Sequence, residues 1–365
     1  MMVLANHALM LFFASTGYLR LEGWLARLSV SAVISIEWLF VLSGYLIGAM
    51  MIRSFESERP WLVSARDFWL RRWFRTLPNY YLFLLVNVAL VYSGIATGVF
   101  DWKFIVFSQN LAWREAEPHF FGESWSLALD EWFYVLMPLM LGMLAWLKFK
   151  ENKQKFLLVS AVLIFVPTFL RALHPAPADF FQWDSEVRRV TIHHLDATGW
   201  GVLAAVVNKW YRGWWTKNTG YKALAGIGAM GGGIFMVCTL LTPAAEAWVQ
   251  PYFVSVFAIT FMAAGTFLFM PWMTQKFQAA PAVGFVTGRI SMYSYSIYLC
   301  HFPLIFIFLR VFSLDAGVSG AYLTGIVLLW LVCVLGCSAA IYHFFEGPVA
   351  DMRERFTRRV DASPF

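Results

Sequence analysis

The chain has 365 residues, of which 60% are hydrophobic and only 14% charged, and its mean hydropathy is +0.62. A soluble domain is about 45–50% apolar and about 25% charged, and the apolar residues here are spread along the whole chain, so a single soluble core is excluded. The net charge of +6 comes from the connections between apolar stretches and does not indicate nucleic-acid binding. This composition predicts an all-α protein, a polytopic bundle of transmembrane helices.

Ten stretches are long and apolar enough to cross a bilayer, which takes about 20 helical residues. In chain order they cover residues 3–19, 29–52, 77–97, 125–147, 156–173, 190–208, 222–242, 248–270, 285–309 and 319–344. The sixth stretch is the weakest, because only its later half is plainly apolar. The runs are continuous rather than alternating, which favours helices over the strands of a barrel. The first stretch lacks a basic leader and a small-residue cleavage site, so we expect it to stay in the mature protein.

The basic residues predict the orientation of these spans. With the N-terminus in the cytoplasm, 20 of the 28 Lys and Arg residues fall in cytoplasmic segments, as the positive-inside rule requires. The interpretation is therefore about ten spans with both termini inside. It divides the chain into a transmembrane domain, 1–347, and a basic cytoplasmic tail, 348–365. The Arg- and Trp-rich segment 53–76 is expected to lie along the inner interface as an amphipathic stretch.

Ionisable residues inside membrane spans are costly, so each is a candidate functional residue. His7 lies in the first span and has the chemistry of a general base near neutral pH; the alternative is a His that bonds a neighbouring helix. Glu37 and Ser43 lie in the second span, where Ser43 and Gly44 are also explained by close helix packing. Asp196 lies near the start of the sixth span.

The strongest local pattern is the segment GESWSLALDEWFYVLMP at 122–138. Ser126, Asp130 and Tyr134 are four residues apart and therefore share one face of the fourth helix, with Glu131 one step round. Paired acids in a low-dielectric site can orient a His or bind a substrate hydroxyl. The alternative is an acidic helix start that complements the helix dipole.

Three arginines, Arg71, Arg72 and Arg75, precede the third span on the cytoplasmic side. Guanidinium groups bind phosphate in a bidentate way, so these residues suit a phosphorylated ligand. Anchoring to anionic lipid is the alternative. His301 lies in the ninth stretch, where it is either a site residue or an interface residue. The four cysteines all lie in apolar runs without ligand-like spacing, so neither disulfides nor a metal site are predicted.

Together these segments resemble the membrane-bound acyltransferase-3 family, whose members acylate cell-surface carbohydrates and related molecules. The resemblance is carried by seven segments in the family's order: ANHALM, IEWLFVLSGYLIG, RRWFRTLPNYY, SWSLALDEWFYVLMP, HHLDATGWGVLAA, SYSIYLCHFPLI and YHFFEGP. Two positions depart from the family pattern. The family's Arg upstream of the first-span His has no counterpart among the six residues before His7, and Asp130 stands where the family usually has Glu.

The resemblance implies transfer of an acyl group, expected to be acetyl, from acyl-CoA to a hydroxyl of a carbohydrate or glycolipid acceptor. It implies catalytic roles for His7, Asp130, Glu131 and Ser126. His7 would remove the acceptor proton or act through a covalent step, and Asp130 or Glu131 would orient or charge-balance it. It also implies a bacterial inner (plasma) membrane location, contact with membrane lipids, no nucleic-acid partner and no metal.

The same resemblance suggests how the substrates are bound. The three arginines would bind the CoA phosphates, and the acceptor would contact the remaining polar residues of the spans: Glu37, Ser43, Tyr134, Asp196 and His301. Two alternatives stay open: a transporter or flippase, which also has intramembrane acids, and an inactive or regulatory relative, motivated by the missing Arg.

Overall fold

The computed structural model describes residues 2–15, 24–57, 60–149, 151–241, 248–276, 281–312, 314 and 318–352. Regular structure within these ranges is helical, without a strand, so the prediction of an all-α polytopic bundle is confirmed. In chain order the α-helices are α1 (Met2–Ser15), α2 (Trp24–Glu56), α3 (Trp61–Tyr92), α4 (Ser124–Trp146), α5 (Asn152–Leu173), α6 (Phe180–Trp183), α7 (Thr191–His194), α8 (Asp196–Trp210), α9 (Arg212–Thr216), α10 (Thr219–Thr239), α11 (Pro251–Lys276), α12 (Pro281–Val311), α13 (Gly320–Ile341) and α14 (Gly347–Met352).

Eight of the described helices are long and apolar enough to cross a membrane. Two helices that match predicted spans, α1 with 14 residues and α8 with 15, are shorter. At 1.5 Å per residue they extend only about 21–23 Å, less than the roughly 30 Å hydrocarbon core. The end of the first predicted span and the tail beyond Met352 lie outside the described residues. The count of ten, the orientation and the tail therefore stay predictions.

The segment 53–76, predicted to lie along the inner interface, is divided between two helices, and its place relative to a membrane stays a prediction. Residues up to Glu56 end α2, and residues from Trp61 onward are the first half of α3, which continues without a break into the third span. Asp67 and Phe68 are buried, and the ring of Trp61 lies so close to α4 that a Cβ on Gly142 would be 2.7 Å from it. This half of α3 is helical and joined to the span because it packs against the bundle.

The sixth predicted span, 190–208, is broken in the structure into α7 and α8. The backbone N–H groups of Thr191 and Ile192 donate to the carbonyls of Asn110 and Leu111 in the long loop between α3 and α4. These bonds hold the first turn against the loop. Leu195, which keeps helical dihedral angles, separates this turn from α8, which begins at Asp196.

Small residues let helices approach closely in the bundle core. A Cβ on Gly44 of α2 would lie 2.1 Å from the Thr198 carbonyl oxygen, and one on Gly201 of α8 would lie 2.1 Å from that of Val41. No side chain fits at either position, so α2 and α8 are in backbone contact. The expected packing role of Gly44 is thus observed.

Loop contacts fall into two groups, as alternating helices require. Arg114 in the α3–α4 loop pairs with Glu186 before α7 at 3.3 Å, and both segments are predicted to lie outside. Lys209 at the end of α8 pairs with Glu56 at the end of α2 at 2.7 Å, and both ends are predicted to lie inside. The candidate site extends between these two ends of the bundle.

Candidate active site

A cavity of 480 Å³ lies among α1, α2, α3, α4 and α12. Its walls are apolar along much of their length, with polar groups concentrated on α3, α4 and α12. The polar side chains that line it are Ser43, Arg72, Arg75, Thr76, Ser126, Asp130, Glu131, Tyr134, Ser294, Tyr295, Tyr298 and His301. Most of the polar residues selected from the sequence therefore line one space, although they come from four helices.

The face of α4 predicted from the spacing lies along this cavity. Ser126, Asp130 and Tyr134 all line it, because residues four apart stack on one side of a helix. Ser43 on α2 donates a hydrogen bond to Oδ1 of Asp130 at 3.1 Å, and Thr76 on α3 donates to Oε1 of Glu131 at 2.6 Å. The two adjacent acids are thus oriented by hydroxyls from two other helices.

Guanidinium groups lie at one end of the cavity. Arg72 is half-buried, and its guanidinium lies 5.4 Å from the centre of the Tyr134 ring and 5.9 Å from that of Phe68. Arg75 is exposed and also lines a neighbouring polar pocket of 570 Å³ formed with α14. Arg71 is half-buried beside them but is not among the residues that line the cavity.

The other end is lined by His301 of α12, and His7 of α1 contacts His301 without being among the residues that line the cavity. Nδ1 of His7 on α1 is 2.9 Å from Nε2 of His301 on α12, and the two rings are parallel within 3°. His301 is buried, whereas His7 is half-buried. Beside them the hydroxyls of Ser126 and Tyr298 are 2.6 Å apart, and Tyr298 donates to the Glu123 carbonyl at 3.1 Å.

Sequence reasoning missed the tyrosines of α12. Tyr295, Tyr298 and His301 are three residues apart, which puts all of them on one face of that helix. This spacing was readable in SYSIYLCHFP and marks the cavity side of α12. Thr76 was missed for a different reason: its role depends on a partner, Glu131, that is 55 residues away in the chain.

Comparison with known proteins identifies the family of the chain. The profile of the acyltransferase-3 family, described as an acyltransferase domain, matches residues 1–343. The chain belongs to this family. The predicted resemblance is therefore confirmed, and the cavity is the candidate active site of a membrane-embedded member of an acyltransferase family.

Relatives of this acyltransferase-3 protein share low identity with it. The "Peptidoglycan O-acetyltransferase OatA" of Listeria monocytogenes is 30% identical over 140 residues, 34% of this chain and 22% of the relative. The "Putative peptidoglycan O-acetyltransferase YrhL" of Bacillus subtilis is 23% identical over 355 residues, 90% of this chain and 52% of the relative. A "Putative O-acetyltransferase" of Staphylococcus aureus is 23% identical over 74% of this chain and 46% of its own length. The chain spans about half the length of these relatives or less, and no solved structure matches it.

Two residues predicted to bind substrate lie away from the cavity lining. Glu37 is fully buried, and its carboxylate is 2.9 Å from Nε2 of His194. Asp196 is also fully buried and accepts two hydrogen bonds from Arg171, at 2.7 and 3.0 Å. Each acid thus already has a charged or ionisable partner within the protein, and a role in substrate binding stays a prediction for both.

An acid, Asp130 or Glu131, was predicted to orient or charge-balance His7, and in this acyltransferase-3 structure His7 has another partner. The hydrogen-bond partner of His7 is His301, while Asp130 and Glu131 accept hydrogen bonds from hydroxyls. In the described part of the chain, neither acid is hydrogen-bonded to His7. Among the described residues, no three side chains of His, Cys, Asp or Glu lie close enough together to hold a metal ion.

Proposed function

We propose that this acyltransferase-3 protein moves an acyl group, expected to be acetyl, from acyl-CoA to a hydroxyl of a cell-surface carbohydrate such as peptidoglycan. The observation that carries the proposal is the cavity that joins the guanidinium end, Arg72 and Arg75, to the hydroxyl and imidazole end, Tyr298 and His301. The family match and the names of the relatives support the same reaction class.

The donor is proposed to bind at the guanidinium end. Arginine pairs with phosphate through two parallel hydrogen bonds, and CoA is rich in phosphate. A volume of 480 Å³ falls within the range of about 300–1,000 Å³ typical of small-molecule sites. In the predicted orientation this end opens to the cytoplasm, where CoA thioesters are made, and the inner membrane of a bacterium is the proposed location.

The imidazole end is proposed to perform the chemistry. When Nδ1–H of His7 donates to Nε2 of His301, Nε2 of His7 keeps a lone pair and can act as a base. The acceptor oxygen attacks the thioester carbonyl carbon, and its proton moves to Nε2 of His7. The carbon–sulfur bond then breaks, and the departing thiolate takes that proton. His301 would act as a positioning residue that holds the His7 ring.

Two other groups have supporting roles in this proposal. Rotation of the Ser126 and Tyr298 hydroxyls away from the Glu123 carbonyl would let each donate its proton to the oxygen that gains negative charge during attack. Asp130 and Glu131 lie between the two ends of the cavity, where they would bind polar groups of the donor's arm or the acceptor.

The test uses purified protein in liposomes with radiolabelled acetyl-CoA on one side and peptidoglycan fragments on the other. We compare the wild type with His7→Asn, whose amide nitrogen can replace Nδ1 toward His301 but offers no basic lone pair. Loss of a general base should reduce transfer by about 10²–10⁴-fold. His174→Asn, in the loop after α5, is the control and should transfer label normally.

Unchanged transfer by a well-folded His7→Asn protein would refute the role of His7. Movement of sugar across the liposome without covalent label would favour the transporter alternative. Transfer of label to no carbohydrate, but to a lipid or to water, would refute the proposed acceptor class.

A further inference from the structure

A charged cluster lies beside the imidazole end but outside the cavity lining. Asp184 and Arg188 belong to the short π-helical segment before α7, and Arg189 follows it. Arg188 bonds Oδ1 of Asp184, and Nε of Arg189 donates to Oδ2 at 2.6 Å. One carboxylate is therefore shared by two guanidinium groups.

This sharing leaves an excess of one positive charge in a largely buried place. Arg188 is only 6% exposed, and its guanidinium lies over the Trp125 ring at 4.6 Å. Its Nη1 has no hydrogen-bond partner among the described residues. A buried, unpaired guanidinium nitrogen is costly, and an entering anion would relieve that cost.

Neighbouring acids do not remove the excess charge. Burial disfavours the charged form of Asp184, but the charges of Arg188 and Arg189 outweigh burial and lower the pKa of Asp184 to about 2. Asp184 is therefore ionised near neutral pH, and it is the one negative charge already included in the net charge of the cluster. Glu115 is within electrostatic range of Arg189, but burial raises its pKa to about 7. Its neighbour His119, at 3.8 Å, has a pKa that burial lowers and therefore adds no full positive charge near neutral pH. Near neutral pH, Glu115 therefore supplies only a partial negative charge.

The cluster is placed where an acceptor would be held. The guanidinium of Arg188 lies over Trp125, and the next residue, Ser126, bonds Tyr298 at the imidazole end. The side chain of Arg189 is 26% exposed, and its segment is predicted to lie on the side of the membrane opposite the donor arginines. A group bound there would lie next to a hydroxyl presented to His7.

We infer that Arg188 and Arg189 bind an acidic substituent of the acceptor, so that the preferred acceptor is an acidic sugar rather than a neutral one. This inference rests on the proposed function, because it assigns the acceptor to the site at His7. The planar fork of arginine matches both carboxylate and phosphate, so the shared chemistry is an oxyanion with two or more terminal oxygens. Arg189 is the exposed contact and the unpaired Nη1 of Arg188 is the buried one, while Asp184 holds both guanidinium groups in place.

The experiment measures binding without the donor. Equilibrium dialysis against proteoliposomes compares N-acetylmuramic acid with its neutral methyl ester, and N-acetylglucosamine 6-phosphate with N-acetylglucosamine. The acidic member of a pair should bind at least tenfold more tightly than the neutral one. The pair with the larger difference identifies the substituent as a carboxylate or a phosphate.

The matched variants are Arg189→Gln and Arg114→Gln, both on the side opposite the donor arginines; the Arg114 side chain is 57% exposed. Arg189→Gln should remove the preference for the acid and leave binding of the neutral sugar within about twofold, whereas Arg114→Gln should keep the preference. Equal binding of acidic and neutral sugars by the wild type would overturn the inference, as would a retained preference in Arg189→Gln. Acid-selective binding without acyl transfer would instead contradict the proposed function and leave this inference standing.

Discussion

Asp196 offers a direct contrast between a substrate contact and an internal ion pair. Both carboxylate oxygens bond Arg171, both side chains are fully buried, and Thr260 adds a hydrogen bond to Oδ2 at 2.8 Å. We therefore expect Asp196→Leu and Arg171→Met each to destabilise the protein, because each leaves an uncompensated buried charge. Breaking such a pair costs about 3–5 kcal/mol.

The double variant should be much less unstable than the sum of the two singles. Replacing both charges by apolar side chains removes the unpaired ion. It also removes the hydrogen bonds from Arg171 to the carbonyls of His193 and Val256, while Thr168 and Thr260, whose hydroxyls lie 3.3 Å apart, can bond each other in place of the lost charges. At about 1 kcal/mol per hydrogen bond, the net loss is about 2 kcal/mol. Two single losses of about 3 kcal/mol or more then give an interaction energy of about 4 kcal/mol or more in the double-mutant cycle.

The assay is thermal unfolding of the four proteins in one detergent at pH 7, together with the KM for the acceptor. With a shift of about 2–4 °C per kcal/mol, each single variant should lose on the order of 10 °C, and the double variant should recover part of it. Additive losses would refute the ion-pair reasoning. A stable Asp196→Leu protein with a greatly raised acceptor KM would instead support the substrate role expected from the sequence.

Three further predictions concern packing, pH and donor binding. Gly201→Ala should destabilise the protein by about 1–3 kcal/mol or more, because the added Cβ would lie 2.1 Å from the Val41 carbonyl oxygen. The control Gly228→Ala adds a Cβ with no atom within 4 Å and should be neutral or stabilising by about 1 kcal/mol. The melting temperatures of the two variants check both expectations. The pKa of Glu115 is raised by burial from 4.5 to about 7, so the unfolded state ionises first and stability falls as pH rises through that interval. Glu115→Gln should abolish that fall, worth up to about 3 kcal/mol, and an equal melting-temperature gain at pH 5 and pH 8 would contradict it. Arg72→Gln should raise the KM for acetyl-CoA about tenfold or more while the acceptor KM stays unchanged, and the reverse pattern in steady-state kinetics would remove Arg72 from the donor site.

Much of the fold was readable from the sequence because a bilayer imposes a strong local constraint. Each helix has to satisfy its own backbone and present about 20 apolar residues, so the helices appear as continuous apolar runs. Local pattern and tertiary contact differ in two segments. Segment 53–76 is charged and aromatic, yet Asp67 and Phe68 are buried and join it to α3. The first turn of the sixth predicted span is held by a loop that lies some 80 residues earlier, at Asn110.

For the candidate site, the sequence by itself determined which residue types were unusual in a membrane span. It also determined which of them share a helix face, because the 3.6-residue period sets the direction of Ser126, Asp130 and Tyr134. Only the tertiary structure decided the partners. It joined His7 to His301, 294 residues apart, and it enclosed Asp196 with Arg171 rather than opening it to the cavity. Side-chain direction along a helix is a local property, whereas the partner of a buried charge depends on which helices pack together.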